Sequence, residues 1–161
     1  MAEQHELTKD IISDFADAYN SFGLNPLMGR IVALLIISPN PLSLDEITET
    51  LEMSKGPISQ ICRRLQDRHL IEKVWVPGDR KDYYKAATDI FGQAYKNQMS
   101  KMKRNINIAQ KYIEKTEADN SGHTSFIHTK MKEMKAFYEM MDQYNLTFIG
   151  AWKEKLSKLE S

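Results

Sequence analysis

One cysteine in 161 residues leaves no partner for an internal disulfide. The fold must then rest on its core, and a lone thiol fits a reducing, cytoplasmic setting. Long apolar runs are missing as well. The longest, Ile31–Ile37, follows Arg30 directly and is far shorter than the roughly 20 residues needed to span a bilayer, so no membrane association is expected. The polar, acidic start MAEQHELTKD does not read as a signal peptide. There is no phosphate-binding glycine loop, no nucleophile–base signature and no carboxylate pair in a convincing context, which argues against an enzyme. His5, His69, His123 and His128 are scattered without ligand spacing, so neither a metal nor another cofactor is expected.

Net charge is also missing, but only in total. Residues 1–54 carry two basic side chains against nine acidic ones. Residues 55–85 reverse this, with eight basic against four acidic, and residues 86–161 hold twelve against nine. A cationic middle in a neutral chain points either to a local anionic partner or to a solvated charged surface.

Apolar spacing supplies the organisation. Leu7, Ile11, Phe15, Ala18 and Phe22 recur at helical steps, predicting a first helix over 7–21. Asn25-Pro26 reads as an N-cap followed by proline at the first helical position, opening a second, buried helix to about Ser38. Ser43-Leu-Asp-Glu46 matches a capping box for a short third helix. A turn at Glu52-Met53 leads to Ser54, a candidate cap for a fourth helix reaching about His69, with Pro57 in its first turn. The period then changes. IEKVWV (71–76) and DYYKA (82–86) are β-rich and flank PGDRK, predicting a hairpin with a five-residue tip. Two long helices follow, over about 88–117 and 124–159.

The fourth helix carries the functional argument. Ile58, Ile61, Cys62 and Leu65 fall in one arc and form the core face, which makes Cys62 a buried, inert thiol rather than a redox switch. Gly56, Ser59, Gln60, Arg63 and Arg64 fall opposite, with Ser54 and Lys55 at the start. Arginine and glutamine suit base edges, serine, lysine and first-turn N–H groups suit phosphate, and glycine admits close backbone approach. A capped helix, a tight turn, a basic helix and a hairpin with Arg80 and Lys81 at its tip together form a winged helix-turn-helix pattern. The fold expected is mainly α with a small β-hairpin wing. It comprises an N-terminal dimerisation helix (1–23), a winged helix-turn-helix DNA-binding domain (24–87) and long C-terminal dimerisation helices (88–161). A helix of that length cannot bury its apolar stripe on a small module alone, so a homodimer is expected, with an up-down helical pair within one chain as the alternative.

The stretch FGLNPLMGRIVALLIISPNPLSLDEITETLEMSKGPISQICRRLQDRHLIEKVWVPGDRKDYYKA, residues 22–87, resembles the GbsR-type branch of the MarR superfamily of transcriptional regulators. Its Phe-Gly lead, the Gly-Arg of the second helix, Pro-Leu-Ser-Leu-Asp-Glu, Met-Ser-Lys-Gly-x-Ile-Ser and Gly-Asp-Arg-Lys-Asp-Tyr-Tyr carry the likeness. The wing departs from the more widespread MarR pattern. The resemblance implies a dimer joined through its first and last helices, a repressor-like grip on pseudo-palindromic double-stranded DNA, and an effector such as choline or glycine betaine linked to compatible-solute control. Tyr19, Phe22, Trp75, Phe91 and Tyr95 are candidate aromatic faces for such a quaternary ammonium, by cation–π attraction; ordinary core packing is the alternative. A winged-helix adaptor that binds protein and does not read DNA is the competing functional reading.

Overall fold

A computed structural model of the chain describes residues 2–117 and 122–159. The chain divides into two compact units, one ending at Ile90 and one starting at Phe91.

The first unit contains α1 (Ala2–Ser21), α2 (Pro26–Ile37), β1 (Leu42–Ser43), α3 (Leu44–Leu51), α4 (Lys55–Asp67), β2 (Ile71–Val74) and β3 (Tyr83–Ala86). Helix α1 starts several residues before the predicted Leu7 and packs along α2. It buries Ile12, with Ile11, Phe15 and Tyr19 partly covered against the core, while Leu7 and Phe22 stay exposed. The two backbones meet at Gly29. A Cβ built there would run into the Phe15 carbonyl oxygen, and would lie 2.8 Å from its carbon and 3.0 Å from Ala16 Cα. Only glycine permits that crossing.

The neighbouring Arg30 reaches the end of α3. Its guanidinium donates to the Leu51 carbonyl at 3.0 Å and contacts Met53 sulfur at 3.4 Å. This satisfies an orphan carbonyl at the end of α3 and ties α2 to the turn before α4.

The local signals act as expected at most ends. Asn25 caps α2 through the Leu27 N–H, with Pro26 at the first helical position. Ser43 and Glu46 form the reciprocal capping box of α3. Glu46 accepts from both the Ser43 N–H (2.7 Å) and hydroxyl (2.6 Å), and these bonds hold its carboxyl below the usual range. Glu52 takes the left-handed conformation (φ 52°) that ends α3.

Helix α4 stops two residues before the predicted His69. Arg68 is its C-cap, and His69 turns left-handed (φ 56°) so that the Leu70 N–H returns to the Leu65 carbonyl.

The sheet is three-stranded and antiparallel, in the order β1-β3-β2. Val74 faces Tyr83 and Ile71 faces Ala86, so the paired strands are shorter than predicted and the wing loop spans 75–82. The two-residue β1, which sequence periodicity missed, pairs Leu42 with Tyr84. Ile31, Ile47, Leu51, Ile58, Cys62 and Leu65 lie at the centre of the core.

The second unit holds most of α5 (Ile90–Thr116) and all of α6 (Gly122–Leu159), close to the two long helices predicted. The pair runs antiparallel. Thr116 Oγ1 lies 2.9 Å from His128 Nδ1, Lys135 donates to Gln110 (2.8 Å), and Tyr95 donates to Asn145 Oδ1 (2.6 Å). Met99, Ala109 and Ile113 are buried, whereas Phe137, Met140, Tyr144 and Phe148 of α6 remain exposed. Among the described residues no helix is long and apolar enough to cross a membrane.

Candidate nucleic-acid interface

Helix α4 presents the two faces that its sequence spacing requires. Ile58, Ile61, Cys62 and Leu65 are buried, while Lys55, Gly56, Gln60, Arg63 and Arg64 are exposed and Ser59 is half-buried. Burial pushes the Cys62 thiol up to about 12, consistent with an inert core cysteine. Ser54 occupies the N-cap position but makes no side-chain cap bond. Its hydroxyl is therefore not committed to the first-turn N–H groups, which differs from the capping role read from the sequence.

Gly56 is the less expected finding. It lies in the first turn of α4, is exposed, and a Cβ there would meet nothing within 4 Å. Glycine costs a helix about 0.5–1 kcal/mol relative to alanine. Nothing in the surrounding fold calls for it.

The wing is organised by Asp79. Its carboxylate accepts the Lys81 N–H and the Tyr83 hydroxyl, both at 2.9 Å. The backbone bond from Lys81 is the main reason its carboxyl is held below the ordinary value, and the Tyr83 phenol is pushed up chiefly by the same hydroxyl bond. Arg80 and Lys81 are exposed on this loop. The α3 start is joined to the wing by a bond from Leu44 N–H to the Asp82 carbonyl, 3.1 Å.

One carboxylate reveals how helix and wing are oriented. Asp45, at the start of α3, sits 2.8 Å from Lys55 Nζ and 3.5 Å from Lys81 Nζ. A single side chain touches both, so the beginning of α4 and the wing loop lie on one side of the unit. The Lys55 hydrogen bond is the largest reason that the Asp45 carboxyl is lowered. Lys73 and Asp82 (2.7 Å) and Lys85 and Glu72 (3.2 Å) pair across the hairpin. Arg63, Arg64 and Arg80 make no ion pair among the described residues. Lysines on this surface are thus engaged with carboxylates, and these three arginines are available.

Sequence reading missed Asp45 as part of the surface. Its place inside a capping box explained it locally, and nothing in the spacing tied it to Lys55 or Lys81.

The five candidate aromatic residues divide between the units, Tyr19, Phe22 and Trp75 in the first and Phe91 and Tyr95 in the second. Tyr19 is half-buried on α1, where burial raises its phenol, and Phe22 is 78% exposed just beyond the end of that helix. Trp75, 77% exposed, lines a groove on the wing with Lys73, Val74 and residues 79–82. Phe91 and Tyr95 line a separate apolar pocket of about 200 Å³ in the second unit, with Gly92, Phe148 and Trp152. Tyr95 and Phe148 meet there with ring centroids 4.8 Å apart and their planes tilted by 51°. The two partners from α6 come from a stripe that reads equally as core or interface.

Residues 22–82 match the MarR family. The HTH-type transcriptional repressor OpcR of Bacillus subtilis (strain 168) is 32% identical over 90 residues, covering 56% of this chain and 46% of the repressor. The HTH-type transcriptional repressor GbsR of the same strain is 27% identical over 115 residues, covering 71% of this chain and 63% of that one. The chain thus spans less than two thirds of the length of these curated relatives. A solved structure described as a transcriptional regulator shares the fold, with a TM-score of 0.75 at 20% identity over 91% of this chain and 98% of its own.

Proposed function

Starting from a winged-helix module of the MarR superfamily at residues 22–82, we propose that the chain is a DNA-binding transcriptional regulator, acting in the cytoplasm as a homodimeric repressor and not as an enzyme. The observation that carries this reading is the shared side of α4 and the wing. The exposed Lys55, Gln60, Arg63 and Arg64 and the exposed Arg80 and Lys81 belong to two elements tied to one carboxylate. In this reading α4 enters a major groove, with Arg63 and Gln60 at base edges and Ser54, Lys55 and Ser59 at backbone phosphate. Arg80 and Lys81 follow the adjacent backbone or minor groove. The repressor names of the two Bacillus relatives support the sign of regulation.

Homodimerisation is supported by the apolar face of α6, where Phe137, Met140, Tyr144 and Phe148 recur at three- and four-residue steps and stay exposed. A two-fold pair would present its α4 helices about one duplex turn, roughly 34 Å, apart to a pseudo-palindromic operator. For the effector, the aromatic pocket of Phe91, Tyr95, Phe148 and Trp152 suits the methyl groups of a quaternary ammonium such as choline or glycine betaine. Such a ligand acts only through unequal affinity for the DNA-bound and DNA-released arrangements.

A titration of the purified protein with duplex DNA at two salt concentrations tests the central reading. Sub-micromolar binding at low salt, with affinity falling steeply as salt rises, is expected. A protein with neither property is a protein-binding adaptor. Calorimetry with choline and glycine betaine, with and without DNA, tests the effector: no heat and no change in DNA affinity removes both ligands.

A further inference from the structure

Asp45 is an acid in the middle of a cationic surface, and its neighbour Glu46 already serves the capping box at the start of α3. The helix needs no second acid to close its capping box. What Asp45 touches is the charge of the two candidate DNA-contacting elements, Lys55 at 2.8 Å and Lys81 at 3.5 Å. Both pairs are solvated, with half or more of each side chain exposed, so each is weak and open to exchange with another anion. Backbone phosphate is such an anion. A carboxylate that occupies two ammonium groups occupies the positions at which phosphates would arrive, and adds a like charge beside them.

We propose that Asp45 is an internal competitor of DNA phosphate, which holds Lys55 and Lys81 back and so sets the affinity of the surface for any duplex. The proposal rests on the DNA-binding reading and deepens it. Sequence preference stays with the proposed base contacts, Arg63 and Gln60. Arg63, Arg64 and Arg80 have no carboxylate partner among the described residues, so they meet bases and phosphates without displacing anything. Asp45 in contrast lowers the electrostatic part of binding that every sequence shares.

The experiment compares the wild-type chain with Asp45→Asn and Asp45→Glu. Each is titrated with one fluorescent duplex of random sequence across a series of salt concentrations, and thermal melts check that each variant is folded. Asp45→Asn is expected to bind roughly three- to ten-fold more tightly at about 0.1 M salt, which is the effect of releasing two exposed pairs. Its plot of log affinity against log salt should steepen by up to about 1.8 per protomer, since each added phosphate contact contributes about 0.9. Asp45→Glu keeps the charge and should stay near wild type. A purely structural role for Asp45 would leave the salt slope unmoved. The proposal is overturned if folded Asp45→Asn matches wild type in affinity and slope, or if Asp45→Glu behaves like Asp45→Asn. Those results leave the DNA reading standing, because wild type still binds with a steep slope. A wild type that ignores duplex DNA at low salt removes both.

Discussion

Replacing Gly56 with alanine separates what the fold needs from what a partner needs. The residue is helical, exposed, and has open space around the position of a Cβ. Within the free protein the added methyl meets nothing, and the backbone loses the entropy penalty of glycine. Stability should therefore rise by about 0.5–1 kcal/mol. At a duplex the sign reverses. If the first turn of α4 lies against the sugar-phosphate backbone, the methyl must be accommodated between two packed surfaces, where overpacking costs about 1–3 kcal/mol. The dissociation constant should then rise roughly 5- to 150-fold, for all sequences alike, because backbone approach carries no base information. Denaturant unfolding gives the first number and fluorescence anisotropy with duplex DNA gives the second. A variant that is more stable and binds as wild type does would show that Gly56 is away from the duplex. A variant that is less stable would refute the local account of the helix itself.

The other glycine with a physical reason should behave in the opposite way. Gly29→Ala puts a methyl against the α1 backbone, which cannot rotate aside, so a net loss of about 1–2 kcal/mol is expected after the helix-propensity gain; denaturant unfolding at wild-type stability would refute this. Ser43→Ala removes the hydroxyl half of the α3 capping box, leaving the backbone bond to Glu46, and should cost about 0.5–2 kcal/mol by the same measurement. Cys62 should resist maleimide at pH 8 in the folded chain and react only as the chain unfolds. Because its folded value, about 12, lies above the ordinary 9.0, the stability from a neutral thiol is full below pH 9 and declines above it, which chemical unfolding from pH 8 to 11 would follow. Arg63→Ala should relax base preference by about 1–3 kcal/mol in competition binding, whereas Arg80→Ala should weaken all duplexes similarly and flatten the salt slope; an unchanged slope takes the wing off the DNA.

The features legible in the sequence were those settled within one turn of chain. Asn25-Pro26 and Ser43 to Glu46 satisfy backbone groups three residues away or fewer, so their chemistry predicts their geometry. The amphipathic face of α4 follows from periodicity alone, and the core face Ile58, Ile61, Cys62 and Leu65 is buried as that period demands. What escaped depends on residues distant in the chain. Strand β1 has two residues and exists because β3 offers Tyr83 and Tyr84 for pairing. The Gly29 crossing is invisible until α1 is laid on α2. The meeting of Asp45 with Lys55 and Lys81 needs α3, α4 and the wing all in place. Aromatic type alone was equally uninformative: Trp75 and Phe91 are both exposed, yet one belongs to the wing and the other to a pocket of the second unit.

The division between lysine and arginine gives the surface a further logic. An ammonium is a compact charge that one carboxylate can occupy, and the four lysines of α4 and the hairpin each have one: Lys55 and Lys81 share Asp45, Lys73 has Asp82, and Lys85 has Glu72. A guanidinium has a planar fork suited to a guanine edge or to phosphate, and Arg63, Arg64 and Arg80 keep that fork unpaired among the described residues. On the proposed DNA-binding reading, pairing the lysines limits the electrostatic attraction that every duplex would share. In that reading, leaving Arg63 open preserves a contact that distinguishes one sequence from another. A neutral chain with a local cationic face can in this way favour its site over bulk DNA, because the charge that would bind indiscriminately is already balanced within the fold.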